Sequence, residues 1–447
     1  AAAGGEVTVD FYLINEKNVR GNHQLKISVT DYQGKVMEVG TYETEAAGGE
    51  VYGQLLVKDV KIPVPAVGGL CRIEAKLCKE NSVVTTGYDD ILSVNLASNM
   101  LDGKGAVWED GSALQNFLKG KTKEAVAAYE DNLGKLDWIM VARPPRKDQL
   151  TMVPMEALRS ADGKPGLDVV YYEDMEFQKE VYHEVAKVVN LSAIEGATPS
   201  PFVYMLDGYG IKWSGKVLPS VSGEYTIIPQ SNDRSMIEVF VNGKKIYEIT
   251  RKKEHLGDGK VYLEGGKSAD IEIRFRHPRS NARCRLDWAV PNDKMPDAQR
   301  LMERAVNDGT KIFIIQSADE WSEFIAVNSK AVFKDKFFVG TNWLGGGMFN
   351  KPHDIFKELP VGNALNWPYQ ALIHTGVERM GLVMEGEELL VGAYHTYPMA
   401  IGTAMGIVPM GKGSVLFSTL DIYGNIINDS AAGLVAKKLI FNMIDFK

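Results

Sequence analysis

The chain begins a helix–strand alternation, abandons it, and resumes it more than a hundred residues later. "GAVWED" at 105–110 reads as a short buried strand, and "SALQNFLKG" at 112–120 as a helix with Ser112 as its N-cap. "LDWIMVARPP" is a second strand, stopped by two prolines that cannot continue a ladder. This is the first half of a βαβ fold, and its second half does not follow. Residues 164–293 instead alternate with a period of two. The missing half returns at "DAQRLMERAVNDGTKIFIIQ", and "SADEWSEFIAV" is a further helix with Ser317 as cap. "LLVGAYH" and "SVLFSTLDI" read as buried strands, and "AAGLVAKKLIFNMI" as a closing amphipathic helix. The pattern predicts a doubly wound α/β domain, 96–145 with 296–447, interrupted by a β-sandwich at 164–293. Insertion is tolerated at exposed loops, and this one follows the Pro-rich "RPPRKDQ".

Residues 1–95 predict a separate sandwich. "VTVDFYLIN" places Val7, Val9, Phe11 and Leu13 on one face, "LKISVTD" repeats the period, and "YQGK" at 32–35 supplies a turn. Further alternating runs follow at regular spacing, as in an immunoglobulin-like β-sandwich. Cys71 and Cys78 share one of these strands, on opposite faces and roughly 23 Å apart at ~3.3 Å per residue. They cannot bridge each other without bending the strand. With Cys284 distant in sequence, three free thiols are expected.

The whole chain of 447 residues is thus multidomain, β plus α/β, and its 45% hydrophobic content can fill several cores. The net charge of −8 argues against nucleic acid or an anionic membrane surface as a partner. The one dense basic run, Arg251–Lys253, reads as a solvated turn. No apolar run reaches the ~20 residues a membrane span needs. The opening "AAAGGE" suits a mature secreted or periplasmic protein.

The inserted β-region has the clearest turn chemistry. "EVFVNGKKIYEI" joins two alternating runs through Asn242-Gly243, which favours a type I′ hairpin because both residues need positive φ. "GIKWSGKVLPSVSGEYTIIPQSNDRSMIEVFVNGKKI" and "IEIRFRHPRSNARCRLDW" resemble the protective-antigen-type module, a β-sandwich attached to many glycosidases and adhesins. The resemblance implies a carbohydrate partner. The functional reading makes Trp213, with Tyr225 and Trp288, a stacking platform for sugar rings, and Asn232 and Asp233 polar ligands. The competing structural reading makes Trp213, Tyr225 and Trp288 sandwich core, and Asn232-Asp233 an Asx-type turn. The family's turn is usually Ser-Asp-Asp-Gly; here Ser231-Asn232-Asp233-Arg234 lacks one acid and the glycine. Calcium takes about six to eight oxygen ligands, so calcium-dependent binding is not expected, nor any other metal or cofactor.

No catalytic residue is expected. Asn15-Glu16 matches an acid/base dipeptide of retaining glycosidases, but Glu16 ends a sandwich strand and no (β/α)₈ barrel is present. The α/β region resembles the glutamine-amidotransferase-like, flavodoxin-like fold, whose active members need a nucleophilic cysteine beside a histidine. Here the cysteines fall in the β-regions, so His374 and His395 lack that partner. "WLGGGMFN" is glycine-rich without the G-x-G-x-x-G spacing of a dinucleotide site. Glu385, Glu387 and Glu388 read as a charged loop.

"VGNALNWPYQALI", "MEGEELLVGAYHTYPMAIGTAMGIVPMGKGSVLFSTLDI" and the opening sandwich resemble the C-terminal, non-catalytic region of bacterial glycoside hydrolase family 2 enzymes of β-galactosidase or β-glucuronidase type. That resemblance implies an accessory region that positions, oligomerises or targets an upstream catalytic domain, with a homo-oligomer as a further partner. Two alternatives stand beside it. One is a stand-alone carbohydrate-binding protein. The other is an enzyme with its site in the α/β crevice around His395 and Asp421.

Overall fold

A computed structural model describes the chain except for residues 50, 81, 97–99, 146–149, 194–197, 201, 232–234, 280, 292–295, 340–345, 363, 366, 374–379, 397–398, 427–430 and 447. The fold is mostly β, with 51% of residues in strands against 14% in helices. It divides into two compact units, one of Ala1–Asn99, Pro352–Gly362 and Asp429–Lys447, the other of Met100–Lys351 and Asn363–Asn428.

The first unit is a β-sandwich. One sheet pairs Glu6–Ile14 with Gly53–Pro63. The other runs in the order Val36–Ala46, Gly21–Thr30, Gly69–Lys79, Ser82–Ser93. Alternation turns Leu25, Ile27 and Val29 inward, where they meet Leu13, Val60 and Ile62 of the facing sheet. Val7, Val9 and Phe11 are partly buried and pack against this core. Cys71 and Cys78 are free, but strict alternation fails between them. A bulge at Leu77/Cys78 shifts the register, and both cysteines are buried. The helix Ala431–Asp445 belongs to this unit. Its Lys438 Nζ donates to Glu358 Oε2 at 2.7 Å and to the Asn95 carbonyl at 3.2 Å.

In the second unit a ten-stranded sheet takes strands from both sides of the insertion. Trp138–Ala142 pairs in parallel with Gly105–Glu109 on one side and with Lys311–Ile314 on the other. Gly413–Ser418 extends the parallel set beyond Lys311–Ile314, and Ala127–Ala128 extends it beyond Gly105–Glu109. The rest of the sheet is antiparallel and not doubly wound. Met380–Glu385, Glu388–Thr396 and Met399–Met410 pair antiparallel with their neighbours. Turns at Gly386 and Gly411, both at positive φ, replace the crossover helices a parallel sheet requires.

Residues 151–289 form the inserted sandwich. One sheet has Ala282–Ala289 between Gly223–Ser231 and the short Thr151–Met152. In the other, Tyr209–Val217 lies between Leu167–Tyr172 and Ala269–His277. Asn242 (φ 49°) and Gly243 (φ 75°) turn the hairpin between Met236–Val241 and Lys244–Ile249. Tyr171, Tyr209, Trp213, Tyr225, Tyr247, Phe275 and Trp288 are buried in the core of this sandwich.

Candidate functional site

Parallel strands end on a common edge, so the sheet collects its carboxyl-end loops in one place. Here these are Glu109-Asp110, Arg143-Pro144, Ile315-Gln316-Ser317 and Ser418–Asp421. After Gly105–Glu109 the chain returns to one side of the sheet, and after Trp138–Ala142 it continues on the other. An open sheet accepts ligands at such a switch point, but protein groups fill this one. The Arg143 guanidinium pairs with Asp110, both side chains being nearly buried. Thr151 Oγ1 donates to the other Asp110 oxygen at 2.7 Å, and Trp321 Nε1 to the Arg143 carbonyl at 2.7 Å.

Further along the same edge the groups leave space. A cavity of about 540 Å³ opens between the ends of Lys311–Ile314 and Gly413–Ser418 and one sheet of the inserted sandwich. The α/β side contributes Gln316, Ser317, Asp319 and Asp421, and the sandwich contributes Gln230, Arg285 and Asp287. Arg285 and Asp287 form a bidentate pair, Nε to Oδ1 at 2.6 Å and a terminal nitrogen to Oδ2 at 2.5 Å. Burial pushes the Asp287 carboxyl above the usual carboxylate range, against the pull of Arg285. Burial likewise raises Asp421, although Arg285 lies close enough to oppose it and Asp421 Oδ1 accepts from the Gly424 N–H at 3.0 Å. Lys336 Nζ donates to Asp319 Oδ2 at 2.8 Å. Gln316 Oε1 is buried with no hydrogen-bond partner among the described residues. Ser317, expected as an N-cap, sits in the left-handed region at φ 54° and makes no capping hydrogen bond. That conformation strains a residue with a Cβ.

The sequence model of the PA14 domain matches residues 163–300. Those residues are a PA14 domain. The anti-sigma-I factor RsgI3 of Acetivibrio thermocellus is 28% identical over 127 residues, which are 28% of this chain and 19% of that protein. The chain therefore spans less than a fifth of that relative's length. A β-glucosidase structure from Kluyveromyces marxianus aligns with 48% of this chain and 26% of its own, at 12% identity and a TM-score of 0.32. The A domain of epithelial adhesin 9 from Candida glabrata, solved with Galβ1-3GlcNAc, aligns with 34% of this chain and 89% of its own, at 13% identity and a TM-score of 0.23.

Within the PA14 domain Trp213 is 3% exposed, and its ring meets Phe275 edge-on at 6.2 Å. The stacking role expected for it fails on burial, because a ring inside the sandwich has no face to offer a sugar. Tyr225 and Trp288 are also buried, 5.1 Å apart, and the Tyr225 hydroxyl donates to the Val221 carbonyl at 3.0 Å. Asn232 and Asp233 lie outside the described residues, as does His374. Asp421 does line the cavity, whereas His395 stands apart from it, its ring edge-on to Phe338 at 6.5 Å. Among the described residues no three His, Cys, Asp or Glu side chains are grouped to hold a metal ion. No helix among them is long and apolar enough to cross a membrane.

Sequence reasoning passed over Gln316, Arg285 and Asp287. One signal was legible for the last two. In "ARCRLDWA" Cys284, Leu286 and Trp288 take the inward positions, so Arg285 and Asp287 face away from the sandwich core. Two opposite charges two residues apart on one strand face already form a pair.

Proposed function

We propose that the chain is a non-catalytic, carbohydrate-binding region of a larger bacterial protein, secreted or periplasmic. The single observation that carries this reading is the PA14 match over 163–300, since that fold is associated with carbohydrate binding. In this reading the parent is a glycoside hydrolase of family 2 type. Its barrel precedes the chain, and the immunoglobulin-like and amidotransferase-like parts position it or hold copies together. Support for the parent is the resemblance of the opening sandwich and of residues 361–422 to that enzyme class. Asn232 and Asp233 contribute weak, calcium-independent contacts, because the sequence Ser231-Asn232-Asp233-Arg234 holds a single acid. Affinity electrophoresis tests the reading: the intact chain is retarded in gels cast with a polysaccharide it recognises. Unretarded migration through a broad set of polysaccharides contradicts it.

A second reading, chemistry in the crevice, draws on the buried Asp421 carboxyl at the cavity wall. It requires turnover of an aryl β-glycoside by the chain alone, lost in Asp421→Asn. Absence of turnover disposes of it.

A further inference from the structure

We propose that the cavity between the PA14 sandwich and the carboxyl ends of the parallel strands is a sugar site. Its ligand is a neutral mono- or disaccharide end, and the proposal rests on the carbohydrate reading above. The size is right: about 540 Å³ lies within the ~300–1,000 Å³ typical of small-molecule pockets. The lining sets the chemistry. The lining includes Arg283, Arg285 and Lys336 together with Asp287, Asp319, Glu320 and Asp421. Cations and carboxylates nearly balance, so neither a phosphate nor a polycation is favoured. The wall instead carries both donors and acceptors, and a hydroxyl group is both at once. A polyhydroxylated neutral molecule can both donate to and accept from such a wall, whereas an apolar ligand can do neither.

Two further observations belong to the wall of this space. Gln316 lines the cavity, and its amide oxygen is buried without a partner among the described residues, a costly state for a polar group. Beside it Ser317 holds left-handed backbone at the strand-to-helix turn. Strain of this kind gathers at ligand sites, where the surrounding structure enforces it. The Arg285–Asp287 pair supplies a rigid wall, since its bidentate geometry fixes both side chains before a ligand arrives. Among the described residues the lining includes no aromatic ring, so recognition by them rests on hydrogen bonds and not on stacking.

Isothermal titration of the intact chain with glucose, galactose, cellobiose and lactose, and with glucuronate as an anionic probe, tests the proposal. Gln316→Leu and Asp421→Asn are titrated in parallel. Gln316→Leu removes an unpaired buried oxygen and is expected to fold. Binding of at least one neutral sugar is expected, weakened about tenfold or more in each variant, with glucuronate weaker than the neutral sugar. Hydrogen exchange on the unaltered chain gives a second measurement: the bound sugar protects 315–319 and 418–421. Undiminished binding in both variants, or protection confined to other segments, overturns the cavity assignment and leaves the carbohydrate reading intact. Preference for glucuronate overturns the assigned ligand class. No binding of any sugar, together with no retardation by any polysaccharide, overturns the carbohydrate reading and the cavity assignment with it.

Discussion

Truncating Trp213 separates two roles an indole ring can play in a β-sandwich. Its ring is buried against Phe275, so Trp213→Ala is expected to cost about 3–5 kcal/mol of stability. A large drop in thermal midpoint checks this, and an unchanged midpoint with lost glycan binding contradicts it. Glu109 gives a pH test. Its carboxylate accepts from the N–H groups of Leu114 and Gln115 at 3.0 and 2.9 Å and from the Tyr423 hydroxyl at 2.8 Å. Burial nevertheless outweighs these bonds and raises the carboxyl above its ordinary value, with Glu156 adding repulsion. Asp110 and Glu156 are the further charges around the Tyr423 hydroxyl. A raised folded pKa means that the folded chain keeps a proton the unfolded chain has released, from an unfolded value of about 4.3 upward. The stability contributed by this group is then present at low pH and lost as pH rises through the folded value. Glu109→Gln does not titrate. The midpoint of the unaltered chain minus that of Glu109→Gln is therefore expected to fall as pH rises above the unfolded value of about 4.3. A difference that grows with pH contradicts the assignment.

Helix ends show which local signals survived folding. Asp297 caps Ala298–Asp308, its side chain accepting from the N–H groups of Gln299 and Arg300, and Gly309 closes that helix at φ 78°. Ser112 and Ser317, of equally suitable residue type, make no capping hydrogen bond. For the short helix after Ser112 the carboxylate of Glu109 takes the N–H groups a cap would take. Asp297→Ala is therefore expected to cost about 1 kcal/mol, and Ser317→Ala less than about 0.5 kcal/mol, as read from urea midpoints. Equal losses contradict this account. The same contrast explains what was legible in the sequence. The period of two, the Asn242-Gly243 turn and the Asp297–Gly309 helix depend on neighbours in the chain, and they read directly. The antiparallel half of the sheet did not, because "LLVGAYH" is apolar enough for a buried strand of either direction. The cavity did not either, since Gln316 and Arg285 meet only through tertiary structure.

At the scale of the second unit, the PA14 sandwich and the mixed sheet keep separate cores. Each core is built from its own side chains, and the polar cavity lies where the two surfaces face each other. A polar, charge-balanced space between two apolar cores is unusual, because burying Asp287 and Asp421 costs stability that simple packing would not demand. On the carbohydrate-binding reading, that cost serves ligand recognition. The most direct measurement is a glycan array probed with the intact chain, with and without a calcium chelator. The account predicts retention on a subset of neutral glycans, unchanged by the chelator. Background signal across the whole array, or retention that the chelator abolishes, would contradict it.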